Sequence, residues 1–125
     1  MIMTAKIFMI LGCLNAAFAV VMGAFGAHAL RDKLMPDLMN VYQTAVQYHF
    51  FHGLGLIAAA LAMPRISSAT AAWAGWIMFA GLILFCGSLY GLSLGGWRWL
   101  GAITPVGGLA FIASWLLLAF AAFRA

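Results

Sequence analysis

Three histidines carry most of the chemistry open to this chain. His49 and His52 stand three residues apart in an apolar run, a spacing that puts both imidazoles on one face of a helix. His28 closes an earlier apolar run, on the side where the run holding His49 begins, and Gln47 and Tyr48 lie close to the pair. Gathered near one leaflet, these imidazoles are candidate ligands for copper, zinc or haem, or a site for a quinone head. The competing reading is structural, with each imidazole hydrogen-bonded to a neighbouring helix. No cysteine or carboxylate at matching depth completes a ligand set. Asn15, near the middle of the first run, carries a similar pair of readings: an interhelical hydrogen bond, or a step in an ion pathway. Ser88 is a further polar residue within an apolar run.

What the chain lacks narrows the chemistry further. It has no Glu, and Asp32 and Asp37 both lie outside the apolar runs. Proton-coupled transporters generally rely on an ionisable carboxylate inside the membrane. There is no Ser-His-Asp set, no phosphate loop and no HExxH motif. An enzyme with its own active site is not expected, and no cofactor is expected beyond the histidine-based haem, copper or quinone alternative.

The elements that must position these residues are legible from the charges. Six basic and two acidic residues make up 6% of the chain, while 67% is hydrophobic. Globular chains are about 25% charged, and small soluble domains need polar residues to cover their surface. Lys6, the cluster Arg31, Asp32, Lys33 and Asp37, then Arg65, Arg98 and Arg124 all fall between or beside four long apolar stretches. The chain reads as all-α: a polytopic membrane protein, one four-helix transmembrane domain over residues 1–125, with spans near 6–28, 42–63, 69–94 and 105–123. The isolated basic residues suit lipid headgroups, not nucleic acid. The N-terminal run resembles a signal peptide, with Ala27-His28-Ala29 as a cleavage-like site, but signal h-regions are only about 7–15 residues long. It is read as a span.

Local signals refine the elements. Pro36 and Asp37 suit a helix start, and Pro64 suits its end. The first two turns after Pro36 have an apolar stripe (Leu38, Val41, Tyr42, Ala45, Val46) opposite a polar one (Asp37, Asn40, Gln43, Thr44, Gln47), so this end is expected in the headgroup region. Ser67 or Ser68 can cap the third helix, and Thr104 with Pro105 reads as N-cap and first position of the fourth. Ala19, Gly23 and Ala27 follow a small-xxx-small spacing; Gly87, Gly91 and Gly95 form a double GxxxG. Both predict close helix contacts. Cys13 and Cys86 fall at depths differing by about 10–15 Å, too far apart for a disulfide, and are expected to be buried and apolar-like. Trp97 and Trp99 around Arg98 suit the headgroup level. Four spans place both termini on one side, with Lys6, Arg65 and Arg124 against Arg31, Lys33 and Arg98. The basic counts tie; the N-terminal amine tips the balance slightly toward cytoplasmic termini, the first charged loop favours the reverse, and a tie also permits dual insertion.

Residues 23–30 (GAFGAHAL), 48–56 (YHFFHGLGL), 87–94 (GSLYGLSL) and 101–108 (GAITPVGG) resemble the bacterial YgdD/YwdK family of small four-helix membrane proteins of unknown function. Transmembrane protein 256 is similar as a eukaryotic relative. The resemblance implies a bacterial inner-membrane protein and brings no catalytic residue. The shared motifs fall on His28, His49 and Thr104-Pro105, so a family-wide role is expected on that side of the membrane.

Three readings follow. The first is a structural or accessory protein that self-associates or packs against a larger membrane complex. The second is a small oligomeric transporter or channel, which calls for a water-filled cavity reaching Asn15. The third is a redox or metal subunit built on His28, His49 and His52. All involving His28 require it to approach the first half of the second helix near Tyr48, His49 or His52.

Overall fold

The computed structural model describes residues 2–125, which form four long helices. α1 is Ile2–His28, α2 is Pro36–Ala62, α3 is Ser68–Gly95 and α4 is Thr104–Phe123. Each of α1 to α3 and the α4 region is long and apolar enough to cross a membrane. At 27 residues, α2 is about 40 Å long, against a hydrocarbon core of about 30 Å.

The helix ends follow local chemistry. Met35, held extended before proline, leads into Pro36 at the first turn of α2, where Asp37 faces the positive end of the helix dipole. Pro64 follows the end of α2, and the chain reverses through hydrogen bonds from Arg65 and Ile66 N–H to the Ala62 carbonyl. α3 ends where Gly96 turns left-handed at φ +71°, its N–H donating to the Leu92 carbonyl at 3.0 Å. A short 3₁₀ turn, Arg98–Ala102, then leads into α4.

Two capping expectations are corrected. Ser67 sits at the N-cap of α3, but its hydroxyl donates to Thr70 Oγ1 at 3.2 Å and caps no backbone N–H. Thr104 is already helical, with Ile103 at the N-cap. Its hydroxyl pairs with Ser88 across the α3–α4 contact at 2.6 Å. A tertiary partner has displaced the local one.

The helices pack chiefly in chain order: α1 on α2, α2 on α3, α3 on α4. α2 is the most enclosed and α1 the most exposed. The core joins Leu56 and Ala59 of α2, and Met63 just past its end, to Met78, Leu82 and Cys86 of α3, closed by Phe8 from α1 and Phe111 from α4. Phe8 reaches α3 because Gly75 leaves room for its ring.

The small residues that carry the packing are only partly those expected. Ala19 is buried and Gly23 lies against Val46, with an added Cβ 3.3 Å from its side chain. Ala27 is exposed. Gly87 faces open space, Gly91 receives Leu100, and Gly95 receives Trp97 from the following loop. The double GxxxG therefore seats loop side chains, not another helix of this chain. The closest backbone approaches are elsewhere. A Cβ on Gly12 would come within 2.7 Å of the Gly53 carbonyl, and one on Gly53 within 3.0 Å of the Ala16 nitrogen. Gly107 lies against the Phe85 backbone, inside a π-helical turn, Leu82–Cys86, that interrupts α3. Cys86 is buried as expected; Cys13 is exposed, on the outward face of α1.

These contacts predict opposite outcomes for two glycines. Gly107→Ala drives a methyl into backbone that cannot rotate away and is expected to cost about 1–3 kcal/mol. Gly87→Ala meets no atom and gains up to about 1 kcal/mol of helix propensity. Thermal unfolding in detergent, read by thiol labelling of Cys86 in a Cys13→Ser background, separates them. Equal melting temperatures would contradict the α3–α4 packing.

Candidate functional site

The two histidines of α2 sit inside the bundle, at 4% and 5% exposure. They share the inner side of the helix but serve different neighbours. His49 points between α1 and α3. Its Nε2 meets Asn15 Oδ1 at 2.9 Å and its Nδ1 meets the Tyr90 hydroxyl at 3.0 Å. His52 points toward α4. Its Nδ1 meets the Tyr48 carbonyl at 2.7 Å, and its Nε2 accepts the Trp115 indole N–H at 3.0 Å.

The partners assign the protons. The Asn15 amide donates to the Leu11 carbonyl at 2.8 Å, which leaves Oδ1 as the acceptor facing His49. Nε2 of His49 therefore carries the proton and Nδ1 accepts from Tyr90. His52 is the opposite tautomer: the Tyr48 carbonyl only accepts and the indole only donates, so Nδ1 carries the proton and Nε2 accepts. In each imidazole the lone pair that would bind a metal already takes a hydrogen bond. Among the described residues no group of three or more His, Cys, Asp or Glu is placed to hold a metal ion.

Aromatic rings enclose both sites. Phe111 stacks on His52 with centroids 3.5 Å apart and planes 10° from parallel. Tyr48 and Phe85 extend this group. Phe18 meets the His49 ring edge-on at 5.3 Å, and Tyr90 packs against Tyr42 at 5.6 Å. Ser88 completes the polar interior, donating to the Phe85 carbonyl at 2.9 Å beside its bond with Thr104. Among the described residues no buried side-chain nitrogen or oxygen lacks a partner.

His28 does not join this group. It is exposed at the end of α1, and no hydrogen bond to its side chain is formed among the described residues. Helical phase explains this. Gly26 faces α2 and its space is filled by the Tyr42 ring. Two residues later the helix has turned by about 200°, so His28 faces away. The α1–α2 lock expected of His28 is made by Tyr42, whose hydroxyl donates to the Met22 carbonyl. Tyr42, Tyr90 and Trp115 are the residues that sequence reasoning missed. Their only signal was an aromatic with a polar tip inside an apolar run, which usually finds a buried partner.

An open groove of about 810 Å³ lies on the outer face between α1 and α2. Asn40, Gln43, Thr44 and Gln47 line one end, and Val20, Phe50 and Phe51 the other. Gly23, Gly26 and Ala27 line it from α1. Asn15 is not part of its lining.

The histidine network makes a measurable prediction. Asn15→Leu and Tyr90→Phe each leave one nitrogen of His49 unpaired and are expected to lower stability by about 1–3 kcal/mol. A double-mutant cycle between Asn15 and His49 is expected to return a coupling of about 0.6–1.7 kcal/mol, read by equilibrium unfolding in mixed micelles. Strict additivity would mean that the bond is not formed.

A family described as "Protein of unknown function (DUF423)" matches residues 22–108. The chain is 49% identical over 120 residues to the UPF0382 membrane protein YwdK of Bacillus subtilis, covering 95% of this chain and 98% of that one. It is 49% identical over 119 residues to a UPF0382 membrane protein of Staphylococcus epidermidis, covering 95% and 97%. A relative of the same description from Staphylococcus saprophyticus is 46% identical over 119 residues, with 95% and 98% covered. No solved structure matches.

Proposed function

Because the chain belongs to the DUF423 family, whose relatives are named membrane proteins with no stated activity, its role has to be argued from geometry, and we propose that it is a structural or accessory membrane protein acting through its outer surface. The observation that carries this reading is the closed polar interior. Every buried polar side-chain atom among the described residues has a partner, and both inner imidazoles have both nitrogens engaged. Such an interior stabilises a bundle; it does not offer groups to a substrate. The remaining hydrogen-bonding capacity lies outside, facing lipid or another protein. Catalysis by this chain finds no support in that arrangement.

The alternatives are less well supported. A transporter or channel would use Asn15 along a wet path, whereas its amide is spent on Leu11 and His49. A haem, copper or quinone subunit would use His28, His49 and His52 together, whereas His28 faces outward and the other two point to different helices. Protein purified without chelators is therefore expected to show no Soret band and only substoichiometric metal. Stoichiometric metal that is lost in His49→Ala would move the function to the imidazoles.

We propose that the chain lies in the bacterial plasma membrane with both termini cytoplasmic, in keeping with relatives named membrane proteins. A C-terminal green fluorescent protein fusion is expected to fluoresce and an alkaline phosphatase fusion to be inactive. The accessory reading itself is tested by crosslinking in native membranes and by sizing in detergent and nanodiscs. A homo-oligomer or a larger complex is expected; a monomer that crosslinks to nothing would overturn the reading.

A further inference from the structure

We infer that the groove between α1 and α2 is the surface through which two copies of this chain, inserted in the same orientation, pair about a two-fold axis. This rests on the self-association proposed above and goes further in naming the face, the symmetry and the orientation.

The starting observation is a contrast. Among the described residues, the side-chain nitrogens and oxygens buried in the bundle are all partnered. On the outer face of α2, Asn40, Gln43 and Gln47 are exposed, and their carboxamides make no hydrogen bond among the described residues. Thr44, in the same stripe, turns its hydroxyl back to the Asn40 carbonyl at 3.0 Å. Gln47 lies eleven residues after Pro36, about 17 Å along the helix. Even with the whole excess length of α2 placed on this side, about 10 Å, Gln47 lies about a turn inside the hydrocarbon, deeper than the headgroup level expected for this end of the helix. A carboxamide there needs a partner that lipid tails do not provide.

The groove's chemistry selects the partner. Its lining holds no charged side chain, so an anionic headgroup would meet no cation there. A carboxamide carries both donors and an acceptor, which makes it complementary to another carboxamide. A second copy of the same stripe supplies what the first one lacks, and a two-fold axis gives each side the same contacts. Shape agrees with this. Gly23 and Ala27 keep the α1 wall low, so the α2 ridge of a partner copy can enter.

Orientation follows from position. The carboxamides occupy only the first half of α2, toward the Arg31–Lys33 loop. An inverted copy would bring its stripe to the opposite leaflet, where this face presents Leu54, Ala58 and Leu61, all exposed and apolar. Only a copy with the same orientation puts carboxamide against carboxamide. The tied basic count does not, on this surface, lead to an antiparallel pair.

The test is disulfide crosslinking of the full chain in native membranes, in a Cys13→Ser background with buried Cys86 kept. Gln43→Cys and Gln47→Cys are expected to form homodimers under mild oxidation. Leu109→Cys, exposed on α4, is the control and is expected not to. Gln43→Leu with Gln47→Leu is expected to weaken dimerisation at least tenfold, by energy transfer on dilution in bilayers, while helicity and melting temperature are kept. Dimers linked only through Leu109→Cys would overturn this surface and leave the accessory reading standing. A monomer at every dilution would overturn both. A lipid retained one per monomer in native mass spectra, and lost in the double leucine variant, would make the groove a lipid site and overturn the pairing.

Discussion

A polar group surrounded by hydrocarbon must find its hydrogen-bond partner within the protein, and the bundle is organised around that constraint. Asn15, His49 and Tyr90 satisfy one another across three helices. His52 and Trp115 tie α2 to α4, whose backbones are otherwise not principal neighbours. Ser88 and Thr104 tie α3 to α4, and Tyr42 ties α2 to α1. Among helices with apolar faces all round, van der Waals packing alone tolerates many rotations. Directional bonds at fixed depths select one.

Glycine supplies the second half of the arrangement. Hydrogen bonds between short side chains such as Asn15 and Ser88 need helices that lie close. Gly12 and Gly53 bring α1 onto α2 beside the Asn15–His49 bond, and Gly107 brings α4 onto α3 beside Ser88–Thr104. The π-helical turn at Leu82–Cys86 belongs to the same device. It shifts the Phe85 backbone to the surface that Gly107 meets, and Phe85 in turn packs on Phe111, which stacks on His52. Close approach, aromatic enclosure and polar pairing are thus parts of one construction around α2.

An inward-facing histidine in a membrane helix invites a functional reading by default. Here the pattern of donors and acceptors argues for structure. Two neutral imidazoles of opposite tautomer, each with its lone pair occupied, act as rigid two-ended connectors. Among the described residues, the carboxamides on the outer face of α2 are a cluster of polar groups without partners. The contrast between a saturated interior and an unsaturated exterior is what directs attention from chemistry within the chain to association between chains.

The sequence by itself determined the helical class, the membrane setting and the approximate limits of the spans. Charge exclusion and proline placement act locally and need no knowledge of neighbours: Pro36, Pro64 and the Arg-bearing loops fall where the helices begin and end. It also marked Asn15, His49 and Ser88 as the polar residues to follow. Tertiary structure decided everything that depends on rotation about a helix axis. All four helices are apolar on most faces, so no amphipathic stripe reports which side turns inward, except at the first turns of α2. His28 and Gly26 differ by two residues and face opposite ways. Gly87 and Gly107 look alike in sequence, yet one meets open space and the other a backbone. Thr104 had a valid local role as a cap and took a tertiary partner instead. In each case the deciding quantity is the phase of one helix against another, which is set by packing and by paired polar groups and is not written in any single segment.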